Sequence, residues 1–298
     1  MKISTKSKTK LNQSAWKTIN IESPGKISLQ LNHLIIENDL ETIDYPLIDI
    51  DLIIITNNQT IITLPFMVYC MENHIHILIQ SNKHLPVGTI TPTVSHHDSR
   101  DKLIEQMNWK QNQLDWFWKQ IVINKITNQI EVLKKLNIHP NLKFHHKIDL
   151  IDEGDTKNIE GQIAKMYFPL MFAKTFKRFQ DDPINHGLNY GYSIIHSLIQ
   201  RHLTILGFHT QLGLHHKSKT NPYNLAYDLI EPFRPIVDFI IANKFKDQFN
   251  KNMIADLFNY QIKVEGKIYE FKDGIYYYIN KLMNNLNSGE LTYAKIEI

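Results

Sequence analysis

Cysteine is almost missing: Cys70 stands alone in 298 residues. A single thiol excludes an intramolecular disulfide and any zinc site built on several cysteines. Glycine and proline are also sparse, at 11 each, against a combined ~12% in average chains. That excludes collagen-like, linker-like and low-complexity architectures. No apolar run approaches the ~18 residues that a membrane-crossing helix needs. The N-terminal MKISTKSKTKLNQSA is basic but lacks an apolar core, so it does not read as a secretory signal. Neither sign of charge dominates, with 33 Lys and Arg against 30 Asp and Glu, a net +3. Net charge alone therefore does not announce nucleic acid; the cations would have to gather on one face. What remains is 43% hydrophobic residues and 21% charged ones, enough to build the core of one large domain or two ordinary ones. A soluble, cytoplasmic protein is the expectation.

The hydrophobic pattern changes period along the chain. Residues 1–15 carry Lys2, Lys6, Lys8 and Lys10 with few apolar anchors and read as a flexible basic extension. From 16 to about 90, short Ile-, Leu-, Val- and Thr-rich segments recur: KTINIES, KISLQLN, HLIIEND, DLIIITN, TIITL and HIHILIQS. Ser23-Pro24-Gly25, Asn38-Asp39 and Asn57-Asn58 separate them, and PFMVYCMEN reads as one short helix. The segment from His84 to Ser95, punctuated by Pro86, Gly88 and Pro92, reads as a loop, with 91–98 as the linker between domains. From 99 to 298 the period is helical. Leu103, Met107, Leu114, Phe117, Ile121, Ile126, Ile130 and Leu133 form one stripe, and Ile163, Met166, Tyr167 and Leu170 another. LNYGYSIIHSLIQRHLTILG ends on Gly207, a candidate C-cap, and Pro232 and Pro235 mark a break and restart. A hairpin is expected near 262–271, around Glu265-Gly266, and then a last helix from about Gly274 to Leu286. The fold class is α+β: a small, mostly-β N-terminal domain and a larger all-α C-terminal one.

Acids and histidines near helix ends are the positions able to carry chemistry. Glu160 falls in the first turns of a helix whose caps are Asp155 and Asn158. His216 lies in the polar LGLHHKSKTN loop, and Glu231 directly precedes Pro232, which biases it toward a helix junction. Asp228 lies three residues earlier, on the same face. Two carboxylates and an imidazole suit Mg2+ or Mn2+ better than structural zinc. With 30 acids and 15 histidines in the chain, however, such a triple can always be picked, and on spacing alone solvated helix-end acids are the better reading. Lys217 and Lys219, Arg234, Lys165, Lys174, Lys177, Arg178 and Arg201 cluster in these same segments. Cations beside a metal suit a phosphodiester substrate; an ordinary solvated face is the alternative.

Four ordered stretches carry a resemblance: PLIDIDLIIITNN, GDTKNIEGQIAKMYF, LNYGYSIIHSLIQRHL and LGLHHKSKTNPYNLAYDLIEPFRPIVD. Together, from about Trp16 to the end, they resemble the CRISPR-associated integrases, the Cas-one family, and LNYGY with EPFRP resembles members from type II systems. The resemblance implies metal ligands at Glu160, His216 and Glu231, with Asp228 in support. It implies a β domain that makes a homodimer and an α-helical domain that carries metal and DNA, with DNA contacts expected from Arg178, Arg201, Lys217 and Arg234. It further implies a heterohexamer with a small ferredoxin-like second Cas adaptation protein, and help from the type II RNA-guided effector nuclease. The implied activity is joining of a short duplex's 3′-hydroxyl ends to the leader–repeat end of a CRISPR array. An endonuclease acting alone and a catalytically silent DNA-binding scaffold are the competing functions. Pro169, inside the Glu160 helix, departs from the family pattern and is expected to kink the helix beyond the ligand.

Other candidates have bland readings. His74 and His76 are expected to share a strand face as an ordinary surface pair, and His96-His97 and His145-His146 to lie in surface loops. Trp109, Trp116 and Trp118 read as core residues of a helix rather than a base-stacking platform. Cys70 reads as a small buried hydrophobe, Tyr276 to Tyr278 as packing residues, and Tyr190 and Tyr192 as packing or DNA contacts.

Overall fold

In the computed structural model the described residues are 17–81, 86–90, 92, 98–140, 142–244 and 253–298. The basic extension, most of the expected linker and His96-His97 fall outside them. The chain divides into two compact units, Met1–Ser95 and His96–Ile298, each treated by itself below.

The first unit contains β1 (Lys17–Ile21), β2 (Lys26–Gln30), β3 (His33–Glu37), β4 (Thr42–Pro46), β5 (Ile50–Ile55), β6 (Ile61–Ile62), α1 (Leu64–Glu72), β7 (His76–Gln80) and β8 (Pro86–Ile90). One sheet has the order β1-β5-β7-β8, with β5 parallel to both neighbours and β8 antiparallel to β7; the other runs β4-β3-β2-β6. Every residue of β5 (IDLIII) is buried, the continuous pattern of a strand flanked by parallel partners and covered on both faces. Ile19, Ile53, Ile55 and Ile77 from the first sheet share a core with Ile27, Leu34 and Ile36 from the second and with Phe66 and Cys70 of α1. Each fully buried aliphatic or aromatic side chain adds about 1.5–3 kcal/mol. Burial pushes the Cys70 thiol up to about 12, so it packs rather than reacts.

Two expectations need correction here, and one strand was not foreseen. The stretch read as a loop after His84 contains β8, an edge strand, where proline's missing N–H is tolerated. The polar TIDYP segment is β4, the edge of the second sheet. His74 has φ of +54° in the turn after α1, whereas His76 begins β7 and is 2% exposed, so the two share no strand face.

The second unit holds α2 (Ser99–Met107), α3 (Gln111–Lys135), α4 (Lys143–Ile148), α5 (Ile159–Met171), α6 (Pro183–Ile205), α7 (Asn224–Leu229), α8 (Arg234–Lys244), α9 (Met253–Phe258), β9 (Gln261–Val264), β10 (Lys267–Glu270), α10 (Phe271–Ser288) and β11 (Ile296–Glu297). Gly207 follows Leu206, the C-cap of α6, and with φ of +81° takes the left-handed position just beyond the cap. The expected hairpin is β9–β10, and a short third strand, β11, pairs with β9 on its other side. The long 99–137 stripe is two helices. Met107 ends the first and is exposed, and Trp109 lies between them, bonded through Nε1 to Asn287. His145 and His146 sit on α4, not in a loop; six residues are too few to show a period. Pro169 falls in the last turn of α5, so the backbone bond it removes lies at the helix end.

Helix α3 is the spine of this unit. Phe117, Ile121, Ile126, Ile130 and Leu133 are buried along it, but so are Gln113, Asn124, Lys125, Asn128 and Gln129. Asn124 accepts the Ile296 N–H at 2.9 Å and donates to the Ile296 carbonyl at 2.7 Å, which fixes β11. Asn128 donates to the Pro232 carbonyl at 3.0 Å, which fixes the junction between α7 and α8.

Candidate functional site

Glu160 stands in the first turn of α5, and two caps hold that turn. Asn158, left-handed at φ 51°, accepts the Gly161 N–H at 2.9 Å. Buried Asp155 accepts the N–H groups of Ile159 at 2.8 Å and Glu160 at 3.0 Å. Amides at the helix start are thereby paired with side chains rather than left open. A methyl group at position 161 would lie 2.6 Å from Asn158 Oδ1, so the glycine after Glu160 preserves the cap.

Asp228, fully buried on α7, organises the histidine loop. Its Oδ2 accepts the backbone N–H groups of Leu214 at 2.5 Å and His215 at 3.1 Å. Its Oδ1 accepts the His216 N–H at 3.1 Å and the His216 imidazole Nδ1–H at 2.6 Å. With Nδ1 as the donor, the Nε2 lone pair is left for a ligand. The hydrogen bond that His216 donates to Asp228 raises the His216 pKa against the opposing effect of burial, and the charges of Asp228, Glu231 and Glu160 add to that rise. The loop closes this tightly because position 213 is glycine; a Cβ there would meet the His216 carbonyl at 2.5 Å and Asp228 Oδ2 at 2.7 Å. The neighbouring His215 instead stacks on Trp118, with ring centroids 4.3 Å apart.

Glu231 opens a 3-10 turn, Glu231–Phe233, between α7 and α8. Its Oε1 accepts Arg234 Nε at 2.8 Å, and its Oε2 accepts the ammonium of Lys125. The same ammonium donates to Glu160 Oε1. Thus α3, α5 and the 3-10 turn meet on one nitrogen. Burial disfavours the Glu231 carboxylate, but Arg234 and Lys125 outweigh it and bring the pKa down to about 2. Burial likewise opposes the Lys125 charge, and Glu160 and Glu231 outweigh it, so that pKa is raised.

Behind Glu231 lies a second buried network. The Arg234 guanidinium stacks 4.6 Å from the Tyr192 ring centroid, and the Tyr192 hydroxyl donates to Asp238. Burial raises the Asp238 carboxyl to about 6, despite the hydroxyl that donates to it. Arg178 donates to Asn185 and to Asn189, the latter at 2.9 Å, and lies over Tyr192 and Phe168. Tyr190 and Tyr192 are therefore packing residues.

The structure thus gathers Glu160 and Glu231 around Lys125 and ties His216 to Asp228. Lys217 is exposed and bonds Gln111 at 3.1 Å. Arg201 is a correction: its residue is 8% exposed and its guanidinium donates to the Tyr276 hydroxyl at 3.4 Å, so it is not presented to a strand. Arg234, paired with Glu231 and stacked on Tyr192, acts on the carboxylate rather than on solvent. Lys125 was not among the expected site residues. Its signal was a set of polar residues, Asn124-Lys125 and Asn128-Gln129, one turn apart and interleaved with the apolar stripe of the helix.

Among the described residues, no three His, Cys, Asp or Glu side chains are spaced to hold a metal ion directly. The donor set nevertheless fits a hard divalent cation. Two carboxylates from different elements already converge on one positive charge, and the neighbouring imidazole has its Nδ1 engaged by a buried acid, the usual arrangement of a ligating histidine.

The family model described as CRISPR associated protein Cas1 matches residues 19–263, a span that includes Glu160, His216, Asp228 and Glu231. The CRISPR-associated endonuclease Cas1 of Neisseria meningitidis serogroup C (strain 8013) is 33% identical over 260 residues, covering 84% of this chain and 85% of the relative. A casposase solved bound to an integration product has a TM-score of 0.78 at 19% identity, covering 93% and 92% of the two chains. A chain of a Cas6-RT-Cas1–Cas2 complex has a TM-score of 0.75 at 18% identity, with 96% of this chain and 36% of that one aligned. The two solved structures speak for the fold alone. The family model and the Neisseria relative, each matching most of the chain, show that it belongs to the Cas1 family of CRISPR-associated proteins.

Proposed function

We propose that this chain is a divalent-metal-dependent integrase of CRISPR spacer acquisition. It joins the 3′-hydroxyl ends of a short foreign-derived duplex to the leader–repeat end of a CRISPR array by direct transesterification. When water replaces the hydroxyl, the same centre cuts DNA as an endonuclease. The observation that carries this reading is the convergence of Glu160 and Glu231 on one cationic point, beside a histidine oriented by buried Asp228. The family match and the Neisseria relative, named as an endonuclease, support it, as does the likeness to a casposase solved with its integration product.

Glu160, His216 and Glu231 are the residues that would hold Mg2+ or Mn2+, and such an ion, when bound, lowers the cost of charge on the attacking and leaving oxygens. Asp228 keeps the His216 ring in one tautomer and one orientation. Arg234 fixes one oxygen of Glu231 and so sets the direction of the other. Lys217, exposed beside His216, and Arg178, at the edge of its aromatic cluster, offer positive charge to the phosphates flanking the reacting one. In the transfer, a phosphorus–oxygen bond to the incoming 3′ oxygen forms as one ester bond of the target strand breaks. The number of phosphodiesters is conserved, so no nucleotide need be hydrolysed, and the sequence has no G-x-x-x-x-G-K-[ST] phosphate loop.

The partners that fit this reading are a second copy of the chain, docked through the N-terminal unit, and a small ferredoxin-like second Cas adaptation protein in a heterohexamer. The Cas6-RT-Cas1–Cas2 likeness supports the second of these. The LNYGY and EPFRP motifs support a link to a type II effector nuclease, in a bacterial cytoplasm. No helix among the described residues is long and apolar enough to cross a membrane.

The test uses the protein with its small partner, a short duplex and a plasmid carrying repeats. Joined products that contain the duplex indicate an integrase; shortened strands alone indicate a nuclease. Glu160→Ala or His216→Ala is expected to abolish joining while duplex binding persists. Unimpaired joining by either variant refutes that residue's role.

A further inference from the structure

A lysine in the buried middle of a helix is costly unless its charge is matched. The Lys125 side chain is 8% exposed, and its ammonium donates to one oxygen of Glu160 and one of Glu231. Glu231 is itself nearly buried, and Arg234 holds only its other oxygen. Without a cation at this point, two carboxylates from separate elements would repel each other in a poorly solvated space. The placement is built in: one turn along the same helix, Asn128 pins the Pro232 carbonyl, so α3 delivers the ammonium and fixes the Glu231 turn together. A lysine stem is long and flexible enough to withdraw without disturbing the helix that carries it.

Resting on the reading of Glu160, His216 and Glu231 as metal ligands, we propose that Lys125 is an internal counter-ion. It holds the two carboxylates together in the metal-free protein and yields their oxygens to an arriving divalent cation, so it sets how tightly the site takes Mg2+ or Mn2+. Lys125 is therefore a positioning residue. Its role has a signature that a packing role lacks. A neutral replacement removes a competing charge, so metal affinity rises; it also leaves the carboxylates facing each other, so the metal-free protein weakens.

The experiment titrates Mn2+ into the full chain and reads free Mn2+ by electron paramagnetic resonance, for wild type, Lys125→Met, Lys125→Gln and Glu160→Ala. Thermal melts in EDTA and in Mn2+ accompany each titration. The expected result is Glu160-dependent binding that tightens about tenfold or more in Lys125→Met. That variant should also melt lower in EDTA and gain more from Mn2+ than wild type does. Should Lys125→Met not fold in EDTA, Lys125→Gln, which keeps a donor toward one carboxylate, is read the same way. Equal or weaker binding in the Lys125 variants, with Glu160→Ala still blind to Mn2+, overturns the counter-ion role and leaves the metal reading standing. No Glu160-dependent binding in any variant overturns both.

Discussion

Replacing Asp228 by Asn separates the acid's charge from its shape. The carboxylate takes two donors on each oxygen: the Leu214 and His215 amides on Oδ2, and the His216 amide and imidazole on Oδ1. An asparagine amide keeps one acceptor oxygen and turns an NH2 toward the other pair. Turned toward the Leu214 and His215 amides, the NH2 leaves two donors facing a donor; turned toward His216, it leaves the His216 amide so and forces the ring to change tautomer. Each such loss costs about 1–3 kcal/mol. Asn also avoids the cost of burying a charge, so a net destabilisation of about 3 kcal/mol is expected. For a unit of this size that lowers the melting temperature by roughly 6–12 °C. The pH dependence is specific. The His216 pKa is raised in the folded protein, so its pairing stabilises fully below the unfolded value of about 6.5 and fades as pH rises through the folded value. The gap between wild type and Asp228→Asn should therefore be wider at pH 6 than at pH 9. If the amide NH2 faces the ring, it donates to Nδ1 and drives the proton to Nε2, so Mn2+ binding falls as well. Thermal and urea melts at the two pH values test this. A variant that melts with wild type, or a gap that widens toward alkaline pH, refutes the role given to Asp228.

Two further outcomes follow from contacts nearby and in the core. Gly213→Ala places a methyl group against the His216 carbonyl and Asp228 Oδ2. It should cost about 1–3 kcal/mol and abolish joining in the plasmid assay while duplex binding in a gel shift stays near that of wild type; full activity would show that the loop has room. Burial lowers the His202 pKa to about 4 and the His196 pKa to about 3, so below about pH 6.5 the unfolded chain takes up protons that the native one refuses. Each should remove about 1.4 kcal/mol of stability per pH unit of acidification toward its folded value. In urea melts between pH 7 and 5, His196→Gln should shrink the acid loss, and an unchanged slope would show that the imidazole is not held neutral.

Much of the fold was legible because burial writes a period into the chain. The Ile- and Leu-rich run of β5 read as a strand, and the helical stripe of α3 as a core helix. The elements that escaped are those whose periods are short or whose exposure hides them. TIDYP and the Pro86–Ile90 segment are edge strands, polar or proline-bearing because one side needs no ladder partner. Helix α4 and strand β11 are shorter than any window that could show a repeat. Trp109 was misplaced because its spacing continues the helical stripe across the break between α2 and α3.

The site divides along a different line. Residues that lie close together in sequence announced themselves: the caps Asp155 and Asn158 beside Glu160, and the acid Asp228 a few residues before Glu231. Arg201 misled because a cation on a helix reads as solvated until its neighbours are known, and here they bury it against Tyr276. Lys125 was missed for the mirror reason. A single lysine in a long helix looks like ordinary surface, and its meaning lies in two carboxylates that arrive from elements far along the chain. Yet α3 carries a readable trace. A helix that buries Phe117, Ile121 and Ile126 on its core side should not also bury Asn124, Lys125 and Asn128 unless each meets a fixed partner. Each does: a strand end, two acids, and the turn that holds Glu231. Polar residues one turn apart on a buried helix therefore mark where distant segments are tied down, and one of those ties holds the two carboxylates proposed as metal ligands.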